Sequence, residues 1–222
     1  IKVDPFGIRT SNEPPFIQYT HALPLFSFAD IQNNVNLSLV FNYERYREEK
    51  ASGVTPNCIA PGFKLNLQKY IKTNSISMPI AFYEEDGRKT NLMQFYDTLT
   101  FDDESNRILR GTKTLNGPIL GGEMLPEEDR YTFSYTVEHS DFSKESYNNS
   151  GKITDVYDKY GNTVLSYTYG EGLLTEITYR GEKVITLGYS SRRLVSVSYN
   201  DNTINFAYKP DGTLDYVQHY NG

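Results

Sequence analysis

Four short segments recur at a nearly constant spacing over residues 151–222, and no other feature of the chain limits its fold as tightly. Ile153, Leu174, Leu194 and Leu214 each open a run that continues three residues later with Val156, Ile177, Val197 and Val217. The first three runs are each followed by a second alternating segment: Leu165-Tyr167-Tyr169, Ile185-Leu187-Tyr189 and Ile204-Phe206-Tyr208. Leading positions lie 21, 20 and 20 residues apart. A fixed period of this size marks a repeat architecture, in which one unit cannot bury its apolar face alone and neighbours must share a core.

Within a unit, apolar side chains fall on alternate residues. That is the period of a strand with one covered face, and no helical period of 3.6 is sustained anywhere. Turn formers separate the runs: Asp158 to Asn162, Gly170-Glu171-Gly172, Tyr179 to Glu182, Asn200-Asp201-Asn202 and Pro210-Asp211-Gly212. Asn, Asp and Gly accept the positive φ of tight hairpins, and Pro presets the first corner of a turn. Each unit therefore reads as two antiparallel strands, and because an isolated hairpin is marginal in water, the units are expected to extend one twisted sheet. The predicted shared core is Ile153, Val156, Tyr167, Tyr169, Leu174, Ile177, Leu187, Tyr189, Leu194, Val197, Phe206, Tyr208, Leu214 and Val217. The last unit stops in mid-repeat at Tyr220-Asn221-Gly222, where a sheet would present an open edge. The expectation is a segment of a longer polypeptide, whose remainder is its principal partner.

Gly151-Lys-Ile-Thr-Asp-Val-Tyr-Asp-Lys-Tyr-Gly-Asn162 and Ala207-Tyr-Lys-Pro-Asp-Gly-Thr-Leu214 resemble the YD repeat of Rhs proteins, in which a Tyr-Asp pair precedes a Gly-containing turn and a new strand. Tyr157-Asp158 keeps the pair; Tyr169-Gly170, Tyr189-Ser190 and Tyr208-Lys209 keep only the Tyr. Upstream, Phe41-Asn42-Tyr43, the segment from Gly62 to Leu67 and the segment from Ala81 to Leu92 are similar to the leader that precedes such repeats. The resemblance implies a bacterial surface or secreted protein whose repeats form a non-enzymatic shell or scaffold, with a C-terminal effector enclosed beyond Gly222.

Composition suits a globular chain: 23% of residues are charged and 38% hydrophobic. Nineteen Tyr and twelve Phe without Trp suit pleated, β-rich packing. The net charge of −6 and the lack of any Lys/Arg block argue against a nucleic-acid or anionic-membrane surface. No apolar run reaches the ~20 residues of a membrane span, and no basic-then-apolar signal segment opens the chain. Cys58 is alone, so an intrachain disulfide or thiolate metal cluster is excluded and the thiol reads as a small buried hydrophobe.

Residues 1–150 read as a leader of mixed hairpins, and residues 151–222 as the repeat array. Pro5, Pro14, Pro15 and Pro24 interrupt ladder formation at the start. Val35, Leu37, Leu39, Phe41 and Tyr43 predict one long strand with a common core face. Glu44 to Lys50 has the charge to form one helical turn, but it reads more readily as the opening of a long loop to Cys58, and Phe63, Leu65 and Leu67 predict a second strand over 62–71. Asp86-Gly87 marks a hairpin turn. Leu99 to Glu104 predicts a strand ending in an acidic turn, and Tyr131, Phe133 and Tyr135 predict another strand. The polar stretch from Asp141 to Ser150 reads as the junction into the array.

Chemistry-bearing clusters are sparse. Asp102-Asp103-Glu104 and Glu84-Glu85-Asp86 are the densest carboxylates; paired carboxylates serve glycoside hydrolysis and converging ones bind Ca²⁺, yet both groups fall in turns where acids are ordinarily solvated. His21, His139 and His219 are far apart, with no Gly-x-Ser-x-Gly nucleophile elbow to join. Gly121-Gly122-Glu123 lacks phosphate-loop spacing. Asn36 and Asn148 head glycosylation-type tripeptides, relevant only in a eukaryotic secretory setting. No catalytic, cofactor or metal residue is therefore assigned. The tyrosines Tyr167, Tyr169, Tyr189 and Tyr208 keep two readings: buried, they are repeat core; exposed, they are a sugar-stacking platform of a carbohydrate-binding or adhesive surface module.

Overall fold

A computed structural model describes residues 20–29, 34–55, 58–74, 78–95, 98–101, 105–115 and 131–219. Asp102 to Glu104, Gly121 to Glu123, the first three prolines and residues 220–222 lie outside the described residues.

Among the described residues the chain is all-β apart from one helix. β1 (Thr20–Ala29), β2 (Asn34–Asn42) and β3 (Phe63–Leu65) form a small antiparallel sheet. Leu37, Leu39 and Phe41 of β2 are buried as the alternation predicts, but Tyr43 is 40% exposed and does not continue the strand. There the chain turns into α1 (Tyr43–Ser52). Asn42 ends β2 and caps α1, its Oδ1 accepting from the Arg45 N–H at 3.0 Å; Gly53 closes the helix in the left-handed region with its N–H on Glu49 O. The loop expected over 44–50 is thus a helix. Its buried side chains are an ion pair, Arg45 and Glu49, so the sequence carries no apolar period to announce it.

The strand expected over 62–71 divides between two sheets. β3 ends at Leu65, and Asn66 continues the pairing with its side chain: Oδ1 accepts from Ser38 N–H at 2.8 Å and Nδ2 donates to Asn36 O at 2.8 Å. Leu67 is buried outside any strand, and β4 (Tyr70–Thr73) begins the second sheet. That sheet continues through β5 (Pro79–Tyr83), β6 (Lys89–Phe95), β7 (Thr98–Phe101), β8 (Ile108–Leu115), β9 (Tyr131–Glu138), β10 (Lys144–Tyr147) and β11 (Ile153–Tyr157). It ends with β12 (Thr163–Gly170), β13 (Leu173–Tyr179), β14 (Glu182–Ser190), β15 (Arg193–Tyr199), β16 (Asn202–Tyr208) and β17 (Leu214–Gln218). All fourteen strands follow in chain order, each antiparallel to the next. The polar junction expected over 141–150 contains β10, which pairs with both β9 and β11, so the ladder is continuous across residue 150.

Two turn types join the repeat strands. Glu171-Gly172 and Arg180-Gly181 have φ > 0 at both corners, as a two-residue hairpin with the native twist requires. Five-residue turns close 84–88, 139–143, 148–152, 158–162 and 209–213 with the same pair of backbone bonds. The fourth position of each sits at positive φ and is Gly except in 139–143, where Phe142 takes φ 69°. Gly151 has a second constraint: a Cβ there would lie 2.0 Å from Ile71 O, and the Ile71 N–H donates to Gly151 O at 2.8 Å.

The small sheet and the segment after it cover the apolar face of the large sheet in one continuous core. Phe26 of β1 meets Tyr199 of β15 edge-on at 5.6 Å, and Leu194 N–H donates to Cys58 O at 2.8 Å. The opposite side of the repeats alternates as Ser166, Thr168, Thr178, Thr186, Ser196 and Ser198, a hydroxyl-rich face suited to water.

Candidate functional site

The repeats bring their leading aliphatic residues and their tyrosines to one place. Ile153, Leu174, Ile177, Leu194 and Val197 are essentially inaccessible; Tyr167, Leu187, Phe206 and Leu214 are buried beside them. Val156, Tyr169, Tyr189, Tyr208 and Val217 are half-buried and pack against that core. The tyrosine hydroxyls repeat one contact. Tyr169 donates to Ile153 O at 2.8 Å, Tyr189 to Leu174 O at 2.8 Å and Tyr208 to Leu194 O at 2.6 Å. The second strand of each unit is thus stitched to the leading residue of its own first strand. Tyr167 instead donates to Leu67 O at 2.9 Å, joining the array to the segment between the two sheets. Burial pushes all four phenols above the usual tyrosine range, so they remain donors.

A second arrangement, absent from any sequence pattern, is a band of buried charge between the small sheet and β4–β10. Glu145 of β10 accepts from Lys69 and from the Tyr147 hydroxyl, and His139 Nε2 lies 2.9 Å from its Oε1. Burial alone would raise this carboxyl, but the Lys69 ammonium and the His139 ring hold it well below the usual carboxylate range. Burial likewise opposes the Lys69 charge, and Glu145 and Glu85 overcome it and raise that amine. Glu84 receives a two-pronged contact from Arg107, at 3.0 and 2.7 Å, and a bond from Thr90 at 2.9 Å. The Arg107 guanidinium lies 4.0 Å from the Phe101 ring centroid.

Lys64 is 0% exposed, and its Nζ donates to Asn66 O at 3.1 Å and Glu85 O at 3.2 Å. Burial first, and Arg45 second, hold its amine well below the usual lysine range. Burial raises the carboxyl of Glu49 although Arg45 and the Gly62 N–H oppose it; its Oε2 accepts that N–H at 2.7 Å.

These contacts place the residues singled out from sequence. Of the cluster Glu84-Glu85-Asp86, only Glu84 is buried; Glu85 is exposed and reaches Lys69 at 3.6 Å, and Asp86 accepts the Arg88 N–H in its turn, so the three do not converge. His139 joins Glu145, whereas His21 is exposed on β1 and His219 follows β17. Cys58 is a free thiol at positive φ. Among the described residues no group of three His, Cys, Asp or Glu side chains could hold a metal ion. No buried side-chain nitrogen or oxygen among them lacks a hydrogen-bond partner. Sequence reasoning missed Arg45, Lys64, Lys69, Arg107 and Glu145; each sits among polar or alternating neighbours, and only the packing of one sheet on the other buries it.

Two clefts open beside these networks. One, of about 240 Å³, lies between α1 and β5–β6 and is lined by Asn42, Glu48, Tyr83, Lys89 and Asn91. The other, of about 160 Å³, lies at the turns of the array, where Lys69, Lys152, Tyr169, Leu173 and Tyr189 form its walls. No helix among the described residues is long and apolar enough to cross a membrane.

No protein-family model matches the chain, and no curated protein matches it. Fold and site therefore define a class by their own geometry: an all-β protein of antiparallel hairpins in one sequential sheet, stitched at a period of about 20 residues by tyrosine hydroxyls on backbone carbonyls.

Proposed function

We propose that this chain is a non-enzymatic structural segment of a bacterial Rhs/YD-repeat surface or secreted protein, part of the wall or scaffold around a C-terminal effector. The observation that carries the reading is the repeated tyrosine stitch. The Tyr169, Tyr189 and Tyr208 hydroxyls are spent on the carbonyls of Ile153, Leu174 and Leu194, so the feature that recurs along the array locks the two strands of each unit together. A wall of such units needs each hairpin held in its own register, because a two-stranded piece is marginal until its neighbours pair with it. The one-sided core and the hydroxyl-rich opposite face agree with a wall wetted on that side.

The experiment is limited proteolysis of the polypeptide as its open reading frame encodes it, followed by particle imaging. A downstream segment that resists protease inside a hollow particle, and becomes sensitive once the array is destabilised by Tyr189→Phe, is the expected result. A downstream segment cleaved as fast as the same segment made alone overturns the proposal. The competing reading, with the tyrosines as a sugar platform, predicts that Tyr169→Ala and Tyr189→Ala abolish retention on neutral polysaccharide gels without lowering stability.

A further inference from the structure

The cleft at the array's turns has Lys152 in its wall, and Arg192 and Arg193 stand on the same rim beside it. The turns at 148–152, 170–172 and 190–192 fall on the same rim of the sheet, because each joins strands running in the same order. Neighbouring turns on that rim are two strands apart, ~10 Å from strand spacing. Lys152 Nζ sits 2.5 Å from Gly172 O and 5.5 Å from the Tyr169 ring centroid. Arg192 reaches Glu171 O at 3.5 Å, and Arg193 lies 4.9 Å from the Tyr208 ring centroid. Lys152 and Arg193 immediately precede Ile153 and Leu194, so they are equivalent positions of two repeats.

None of these three cations meets a carboxylate among the described residues. Five cations elsewhere are paired: Arg45 with Glu49, Lys69 with Glu145, Arg107 with Glu84, Arg110 and Lys144 with Glu138. In a chain of net charge −6, the turns of this rim carry Lys152, Arg192, Arg193 and Lys209 against Glu171 and Asp211, a local reversal of sign.

We infer that this rim cleft binds a carboxylate-bearing (uronate) glycan. The carboxylates meet Lys152 in the cleft wall and Arg192 on the rim beside it, which converge on consecutive carbonyls of one turn, while the Tyr169 and Tyr189 rings offer an apolar wall to a sugar face. The volume of about 160 Å³ suits one sugar unit, with the Gln68 amide and Ser150 hydroxyl at its border for ring hydroxyls. A peptide fits less well. The turn carbonyls at 171 and 172 are already taken, so a peptide backbone laid there would leave its own N–H groups without acceptors. The inference is independent of the shell reading.

The test is isothermal titration of the full chain with octagalacturonate, with neutral galactan oligosaccharide and poly-L-glutamate as the other arms. Binding of octagalacturonate that weakens as salt rises is expected, at least tenfold tighter than to either other probe. Lys152→Gln/Arg192→Gln lowers that affinity at least tenfold, and Lys152→Arg keeps it within threefold. The exposed Arg192→Gln alone lowers it about threefold with an unchanged urea midpoint, which keeps the test readable if the double variant is unstable. No octagalacturonate binding, binding indifferent to these substitutions, or equal binding of poly-L-glutamate or the neutral glycan overturns the inference.

Discussion

Removing the three stitching hydroxyls together, as Tyr169→Phe/Tyr189→Phe/Tyr208→Phe, isolates the contact that locks the two strands of each repeat together. The substitution deletes one oxygen per site and leaves the packed ring in place. Each hydroxyl donates to a single carbonyl at 2.6–2.8 Å, and each ring is half-buried against the core. A hydrogen bond of this kind contributes about 0.5–1.5 kcal/mol net, so about 1 kcal/mol is lost per site. Equivalent sites lie two strands apart, ~10 Å, far enough for the losses to add. The triple variant is therefore expected to lose about 3 kcal/mol, a fall in Tm of about 6–12 °C for a chain of this length. Urea unfolding measures it directly, with the midpoint moving and the slope m unchanged. Tyr160→Phe is the internal control, since Tyr160 is 78% exposed in a turn. A triple variant within about 0.5 kcal/mol of the parent, or a Tyr160→Phe loss of equal size, would refute the stitching argument.

Three further outcomes are expected. Gly151→Ala places a Cβ 2.0 Å from Ile71 O at φ 73° and breaks the junction between β4 and the array; a loss of roughly 3 kcal/mol or more is expected in urea unfolding. Phe142→Gly relieves a left-handed backbone at a residue whose side chain is 77% exposed, in a turn whose four counterparts carry Gly, and should gain about 1 kcal/mol, read as a rise in Tm. Glu145→Gln strands the buried Lys69 charge and should cost about 3–5 kcal/mol at pH 7. Because the folded carboxyl of Glu145 lies below its unfolded value of 4.5, its contribution is fully present above pH 4.5 and is lost as pH falls below it. The urea midpoint of the parent should accordingly drop between pH 5 and pH 3 more steeply than that of Glu145→Gln.

Strand content and the turn positions of the array were legible because both depend on neighbours in sequence. Alternation at Leu165, Tyr167 and Tyr169 assigns their faces, and Gly172 and Gly181 mark corners that need positive φ. The helix at Tyr43–Ser52 was not legible, since it buries an ion pair where an apolar stripe would have announced it. The split of residues 62–71 between sheets was equally hidden, because Asn66 extends β2's pairing through its side chain. Nor does any spacing reveal that Glu145 meets Lys69, 76 positions away, or that Lys64 is sealed from water.

By itself the sequence determined the period of the hairpins, the residues that face the core and the sign of each turn, all consequences of backbone geometry over a few bonds. Only the tertiary structure decided what covers that core, which charges are buried with partners, and which cations of the rim have none. Those outcomes depend on one sheet settling over another, and distance through space between residues remote in the chain sets both desolvation and pairing.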